Sequence, residues 1–168
     1  ALGGKPVVGV ICTHMHPDHI GQAKDITDRF RCPLYMTQGE YFQARAFSNG
    51  GGNSRSGWIG EQFYTQAGMP NDYLEQLAKL WGSQSSEGMS MPTMVQGYER
   101  LQDGQILRIG GTDWQIVVGA GHSPEHACLY SAALKVLISG DQILPIITSN
   151  VSVHPTEPNA NPLKQWME

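Results

Sequence analysis

Three histidines and an aspartate fall within six residues of the run Thr13-His14-Met15-His16-Pro17-Asp18-His19, which holds half of the six histidines in the chain. Imidazole is the commonest metal ligand in proteins, and a carboxylate beside it suits zinc, iron or manganese. Four such groups crowd together at a cost unless they share a cation. The run therefore reads as a metal site, dense enough for two ions, and chance histidines in a solvated loop are the weaker account. It follows the apolar stretch Val7-Val8-Gly9-Val10-Ile11-Cys12, which puts it at the end of a strand. In extended backbone His14 and His16 project to one side and can share an ion. Pro17 fixes its own φ and favours a turn or a first helical position. Beyond it Asp18 and His19 face a new direction, toward a second ion.

The pattern H-x-H-x-D-H after a strand resembles the signature of the metallo-β-lactamase fold. Two later segments extend the resemblance in register. Gly121-His122-Ser123-Pro124-Glu125-His126 is similar to the family's Gly-His-[Ser/Thr]-Pro-Gly-His segment, and Ser139-Gly140-Asp141 to the segment that carries its metal-bridging aspartate. The resemblance implies that His14, His16 and His122 hold one metal, that Asp18 and His19 hold a second, and that Asp141 lies between them. It implies an α/β fold, a partial αββα arrangement of mixed β-sheet with flanking helices. It also implies zinc, two ions in the full-length protein, with iron or manganese as alternatives. Glu125 stands where the family usually has glycine, which alters the turn and not the ligand. The family adds a last metal histidine beyond the aspartate and several strands ahead of the first motif. Residues 1–168 are accordingly expected to be an internal fragment of one such domain, with residues 38–95 as a helical insertion.

The elements that would position these residues follow from hydrophobic period and turn residues. Val7 to Cys12 is expected as a buried strand. A helix is expected from about Asp18 to Phe30, with Ile20, Ala23, Ile26, Thr27 and Phe30 on one face. Pro33 to Thr37 is expected as a second strand, and strand, helix, strand implies parallel pairing with a right-handed crossover. Gly39–Phe47, Trp58–Ala67 and Asn71–Trp81 have helical character. A glycine- and serine-rich loop at 48–57 and a polar stretch at 83–90 separate or follow them. From Gln105 the pattern turns to short strands: Gln105–Ile109, Asp113–Val118, Ala127–Ser131 and Val136–Ser139, with turns at Gly110-Gly111 and 132–135. Every candidate ligand then lies at a strand end along one sheet edge. Residues 155–162 are proline-rich and extended, and Leu163–Met167 starts a helix.

Composition bounds the partners. The net charge is −4, with 40% hydrophobic and 15% charged residues, so nucleic acid is not favoured. No apolar run approaches the length of a membrane span, and a small-molecule substrate is expected, with the oligomeric state unreadable. Cys12, Cys32 and Cys128 are odd in number and scattered, which reads as free thiols and a cytoplasmic location.

The chemistry expected is metal-assisted hydrolysis. Metals roughly 3.5–4 Å apart can activate water and polarise a substrate oxygen. The reading is a hydrolase in which metal-activated hydroxide attacks an ester, thioester or lactone carbonyl, with Asp18 orienting the nucleophile. Alternatives are a phosphodiesterase or endoribonuclease, an iron-dependent oxidoreductase of the same fold, and an inactive fragment. No G-x-S-x-G elbow or phosphate-binding G-x-x-x-x-G-K-[ST] loop is present. His126 is expected to support the ligands by hydrogen bonding, and His154 to be an exposed loop histidine. Tyr64, Met69, Tyr73 and Trp81 read as core, with an acyl-binding wall as the alternative.

Overall fold

The computed structural model describes residues 3–48, 57–83 and 92–168. Two sheets form. The first is parallel and ordered β1-β2-β3, from Val10–Ile11, Leu34–Met36 and Glu99–Arg100. The second is an antiparallel meander, β4-β5-β6-β7, from Ile106–Ile109, Thr112–Gly119, His126–Ser131 and Val136–Ile138. Helices α1 (Pro17–Ile20) and α2 (Ala23–Phe30) cross from β1 to β2. Helices α3 (Gln38–Ala46), α4 (Trp58–Gln66) and α5 (Asn71–Ser83) lie between β2 and β3, and α6 (Pro162–Met167) comes last.

Period-two alternation in β2 explains the layers. Leu34 and Met36 pack into one core with Cys12, Ile20, Ala23, Tyr41, Ala44 and Met94, on the helix side. Tyr35 points the other way, and with Ile11 it packs on a second core of Leu101, Ile116, Ala127 and Leu129. The first sheet thus has helices on one face and the second sheet on the other. The Ala127 N–H donates to the Thr13 carbonyl at 2.8 Å, which stitches β6 to the loop after β1.

Several expectations are corrected. The first strand pairs over two residues only, because Val8 is 75% exposed and Gly9 carries no side chain to pack. The helix expected from Asp18 to Phe30 is two helices broken at Gly21-Gln22, and Phe30 lies on the exposed side. β3 is an added parallel strand, polar and exposed, with no period to reveal it. The ligands do not lie along one sheet edge: they come from the ends of strands in both sheets. The four later strands, the parallel β1–β2 pair and the three middle helices form as expected. Gly110 and Gly111 make the two-residue β4–β5 turn, both with positive φ, as a type I′ hairpin requires. The loop expected at 48–57, most of the stretch at 83–90 and the side chain of Trp81 fall outside the described residues. No helix among the described residues is long and apolar enough to cross a membrane.

Ile116 is fully buried and pairs with Leu129 where the second sheet meets the first. Ile116→Ala is expected to destabilise the protein by about 2–5 kcal/mol, read from urea or thermal unfolding. A loss below about 1 kcal/mol would contradict a packed junction there.

Candidate metal centre

The first motif occupies the loop between β1 and α1. Pro17 opens the helix, and His16, at φ −65° and ψ 145°, is its N-cap. The His16 carbonyl accepts from the N–H groups of His19 and Ile20 at 2.9 and 3.1 Å. The loop is therefore fixed at both ends. His14 Nε2 and His16 Nδ1 come within 2.8 Å of each other. His122, from the loop between β5 and β6, brings its Nε2 to 3.2 Å from His14 Nε2 and 3.1 Å from His16 Nδ1. Nitrogens bound tetrahedrally at about 2.0–2.1 Å are about 3.3–3.4 Å apart, so this triangle is close to that of three ligands on one ion. Asp141 supplies a fourth donor. Its Oδ2 lies 3.9 Å from His14 Nε2 and 3.7 Å from His122 Nε2. One ligand atom from each of His14, His16, His122 and Asp141 fits within a mutual spread of 4.8 Å.

The other carboxylate oxygen faces elsewhere. Asp141 Oδ1 lies 3.4 Å from His19 Nε2, and Asp18 Oδ2 lies 3.6 Å from the same nitrogen. Asp141 thus stands between a three-imidazole group and the pair Asp18 and His19. Asp18 is 77% exposed, whereas His14 is fully buried. All six residues singled out from the sequence are brought to one locality. Asp18 and His19 lie outside the tight four-donor group and adjoin it through Asp141.

Hydrogen bonds select which nitrogens are bare. The Asn150 carbonyl lies 2.9 Å from His122 Nδ1. A carbonyl can only accept, so Nδ1 carries the proton and Nε2 keeps its lone pair for an ion. Thr13 Oγ1 lies 3.0 Å from His14 Nδ1 and anchors that ring. His126 Nε2 accepts the Asp141 N–H at 3.1 Å, which makes His126 a support for Asp141. The Asp141 carbonyl accepts from the Ser149 hydroxyl at 2.7 Å, and the Gln142 carbonyl from Trp166 Nε1 at 2.9 Å. These bonds clamp the 3-10 turn Gly140–Gln142 that presents Asp141. Gly140 has φ +49°, and a Cβ there would sit 2.6 Å from the His126 ring. Only glycine lets the turn approach that closely.

Burial and neighbouring imidazoles favour the neutral forms of His14, His16 and His126. Burial first, then the charges of His19, His126, His16 and His122, push the His14 pKa down to about 2. Burial, then His122, pushes His126 down to about 4, against the opposing pull of Asp141. His16 is lowered mainly by burial and His122. Neutral imidazole is the metal-binding form.

Sequence reasoning missed several supports. Glu40 is fully buried in α3 yet reads in the sequence as a helix-surface carboxylate. Ser149, Asn150 and Trp166 act through backbone or remote contacts that no local pattern announces. His154 is exposed and lies outside the four-donor group. It lines a cleft of about 260 Å³ beside His16 and His122, together with Gln43, Thr156, Glu157 and Gln165. Tyr64, Met69 and Tyr73 are not among the residues lining that cleft.

A two-layered α/β fold gathers imidazole and carboxylate side chains at its strand ends, in a group that could hold a metal ion. The chain belongs to the metallo-β-lactamase superfamily, whose family model matches residues 1–166. It is similar to a β-lactamase domain protein from Burkholderia ambifaria, with a TM-score of 0.80 and 36% identity over 98% of this chain and 45% of that one. It is 26% identical to an uncharacterized protein of Aquifex aeolicus strain VF5 over 80% of this chain and 48% of that protein. It is 24% identical to the probable metallo-hydrolase YflN of Bacillus subtilis strain 168, over 85% and 47% respectively. The chain thus spans about half the length of the curated relatives it matches.

The depressed imidazole values set a pH dependence. In the unfolded chain histidine binds a proton near 6.5, before the folded cluster can, so acid favours unfolding. The stability this contributes is present above about pH 6.5 and is lost as pH falls toward about 4. Glu40, whose pKa burial raises, works in the opposite direction as one group against three. Metal-free protein is expected to melt at a lower temperature at pH 5 than at pH 7.5. An equal or higher midpoint at pH 5 would contradict the neutral cluster.

Proposed function

We propose that the protein is a binuclear metallohydrolase acting on an uncharged ester, thioester or lactone. The observation that carries this is the division of Asp141: one oxygen faces His14 and His122 and the other faces His19. In this reading His14, His16 and His122 hold the first ion, Asp18 and His19 hold the second, and Asp141 spans both. The nitrogen-rich set with carboxylates suits zinc, and iron or manganese are the alternatives. Bound there, the ions would lower the pKa of water toward about 7 and polarise the oxygen of the scissile group.

The remaining work falls to side chains. Hydrogen bonds to the Asn150 carbonyl and His126 Nε2, with the Thr13 contact, fix the ligands before substrate arrives, so little reorganisation accompanies reaction. Asp18, open to solvent, would accept a hydrogen bond from the attacking water and orient it. The cleft beside His16 and His122 would receive the substrate. Its mixed polar and apolar lining carries the Glu157 carboxylate and, among the described residues, no lysine or arginine, which suits an uncharged carbonyl compound better than a phosphodiester. Three cysteines without a disulfide support a reducing, cytoplasmic setting.

Elemental analysis of the purified protein combined with a substrate panel tests the proposal. Two equivalents of zinc are expected, with hydrolysis of p-nitrophenyl esters, acyl thioesters or lactones that chelator abolishes and zinc restores. Turnover of bis-p-nitrophenyl phosphate alone would replace it with the phosphodiesterase reading. Silence across the panel with both metals bound would end the catalytic claim. His16→Ala is expected to lose the metal of the first site, and unchanged metal content in that variant would contradict the ligand assignment.

A further inference from the structure

We propose that Glu40 is the positioning residue of the metal centre, its one carboxylate tying together the two loops that bring in His14, His16 and His122. The inference rests on the metal-centre reading above. Glu40 lies in the first turn of α3 and is fully buried. Its Oε2 accepts the Met15 N–H at 2.9 Å, and its Oε1 accepts the Glu125 N–H at 2.8 Å. Met15 sits between His14 and His16. Glu125 sits between His122 and His126. Each oxygen therefore holds the backbone of a different ligand-bearing loop.

The surrounding contacts make the clasp reciprocal. The Gly39 N–H donates to Glu125 Oε2 at 2.7 Å, and the Thr37 hydroxyl donates to the Glu125 carbonyl at 2.7 Å. The start of α3 and the second loop thus grip each other from both sides. Glutamate at position 125, where glycine is the family's usual residue, supplies one of these grips. Burying a carboxylate is costly unless hydrogen bonds replace its water. A position needing only volume would be served by leucine or methionine. Two charge-assisted bonds to two loops are what a carboxylate offers and a neutral side chain does not.

The amide isostere separates positioning from filling. Glu40→Gln keeps shape and one acceptor but turns an N–H toward a backbone N–H, so one loop is released. Zinc affinity, measured by competition with a chromophoric chelator, is expected to fall about 10–100-fold. The d–d absorption of cobalt-substituted protein should change in intensity, because the ligand triangle is no longer held. Far-UV circular dichroism should show the variant folded. If residue 40 merely fills space, zinc affinity and the cobalt spectrum stay at wild type whatever happens to the melting point of the metal-free protein, and that result overturns the inference. Should Glu40→Gln not fold, Glu40→Asp keeps the charge, is one methylene shorter and can span at most one of the two N–H groups. It is expected to show the same loss of affinity, and wild-type affinity in it overturns the inference equally. Failure of the unaltered protein to take up any metal would instead bring down the metal-centre reading itself.

Discussion

Three imidazole nitrogens, from His14, His16 and His122, held about 3 Å apart are the constraint on which the structure turns. Such an arrangement suits a shared cation. Burial pushes His14 and His16 toward their neutral forms, and neighbouring rings push them further. The backbone must therefore hold the rings in place from outside. It does so with the Asn150 carbonyl at His122 Nδ1 and Thr13 at His14 Nδ1, with the Asp141 turn clamped by His126, Ser149 and Trp166, and with a helix that opens directly after His16. A neutral, preset cluster of this kind is ready for a cation without first shedding protons.

The two-sheet architecture is what allows the convergence. A parallel sheet places the first motif at the end of β1, where the crossover to α1 begins. An antiparallel meander places His122 before β6 and Asp141 after β7. Stacking the sheets through Ile11 and Tyr35 on one side, and Ile116 and Leu129 on the other, brings those ends together. The bond from Ala127 to the Thr13 carbonyl fixes their relative height. Ligand geometry is thus set by the core between the sheets, although no ligand belongs to that core. The same logic extends to Glu40, which stands on neither sheet and touches both ligand loops.

Membership of the metallo-β-lactamase superfamily gives this arrangement its context, and the particular features of the chain lie within it. Glu125 fills a place where the family usually has glycine and meets the N-terminus of α3. The cleft beside His16 and His122 is lined by both ligand loops, α3 and the segment at residues 152–165, with polar and apolar groups in similar measure.

Local chemistry was legible in the sequence. Dense histidines after an apolar run, a proline at a helix start and paired glycines at a turn each act over a few residues, so spacing alone reveals them. His14, His16, His122 and Asp141 could be named as partners because motif order carries that information. The break at Gly21-Gln22 and the two-residue length of β1 were not legible, since pairing partners and packing decide where an element stops. Nor was the short polar strand β3, which has no hydrophobic period. Only the tertiary structure decided that Asp141 turns its two oxygens to different groups, that Asn150 fixes the His122 tautomer, and that Glu40 is buried between two loops. Those facts depend on distances between residues 19 to more than 100 positions apart. Such distances are set by how the two sheets stack, which no run of neighbouring residues encodes.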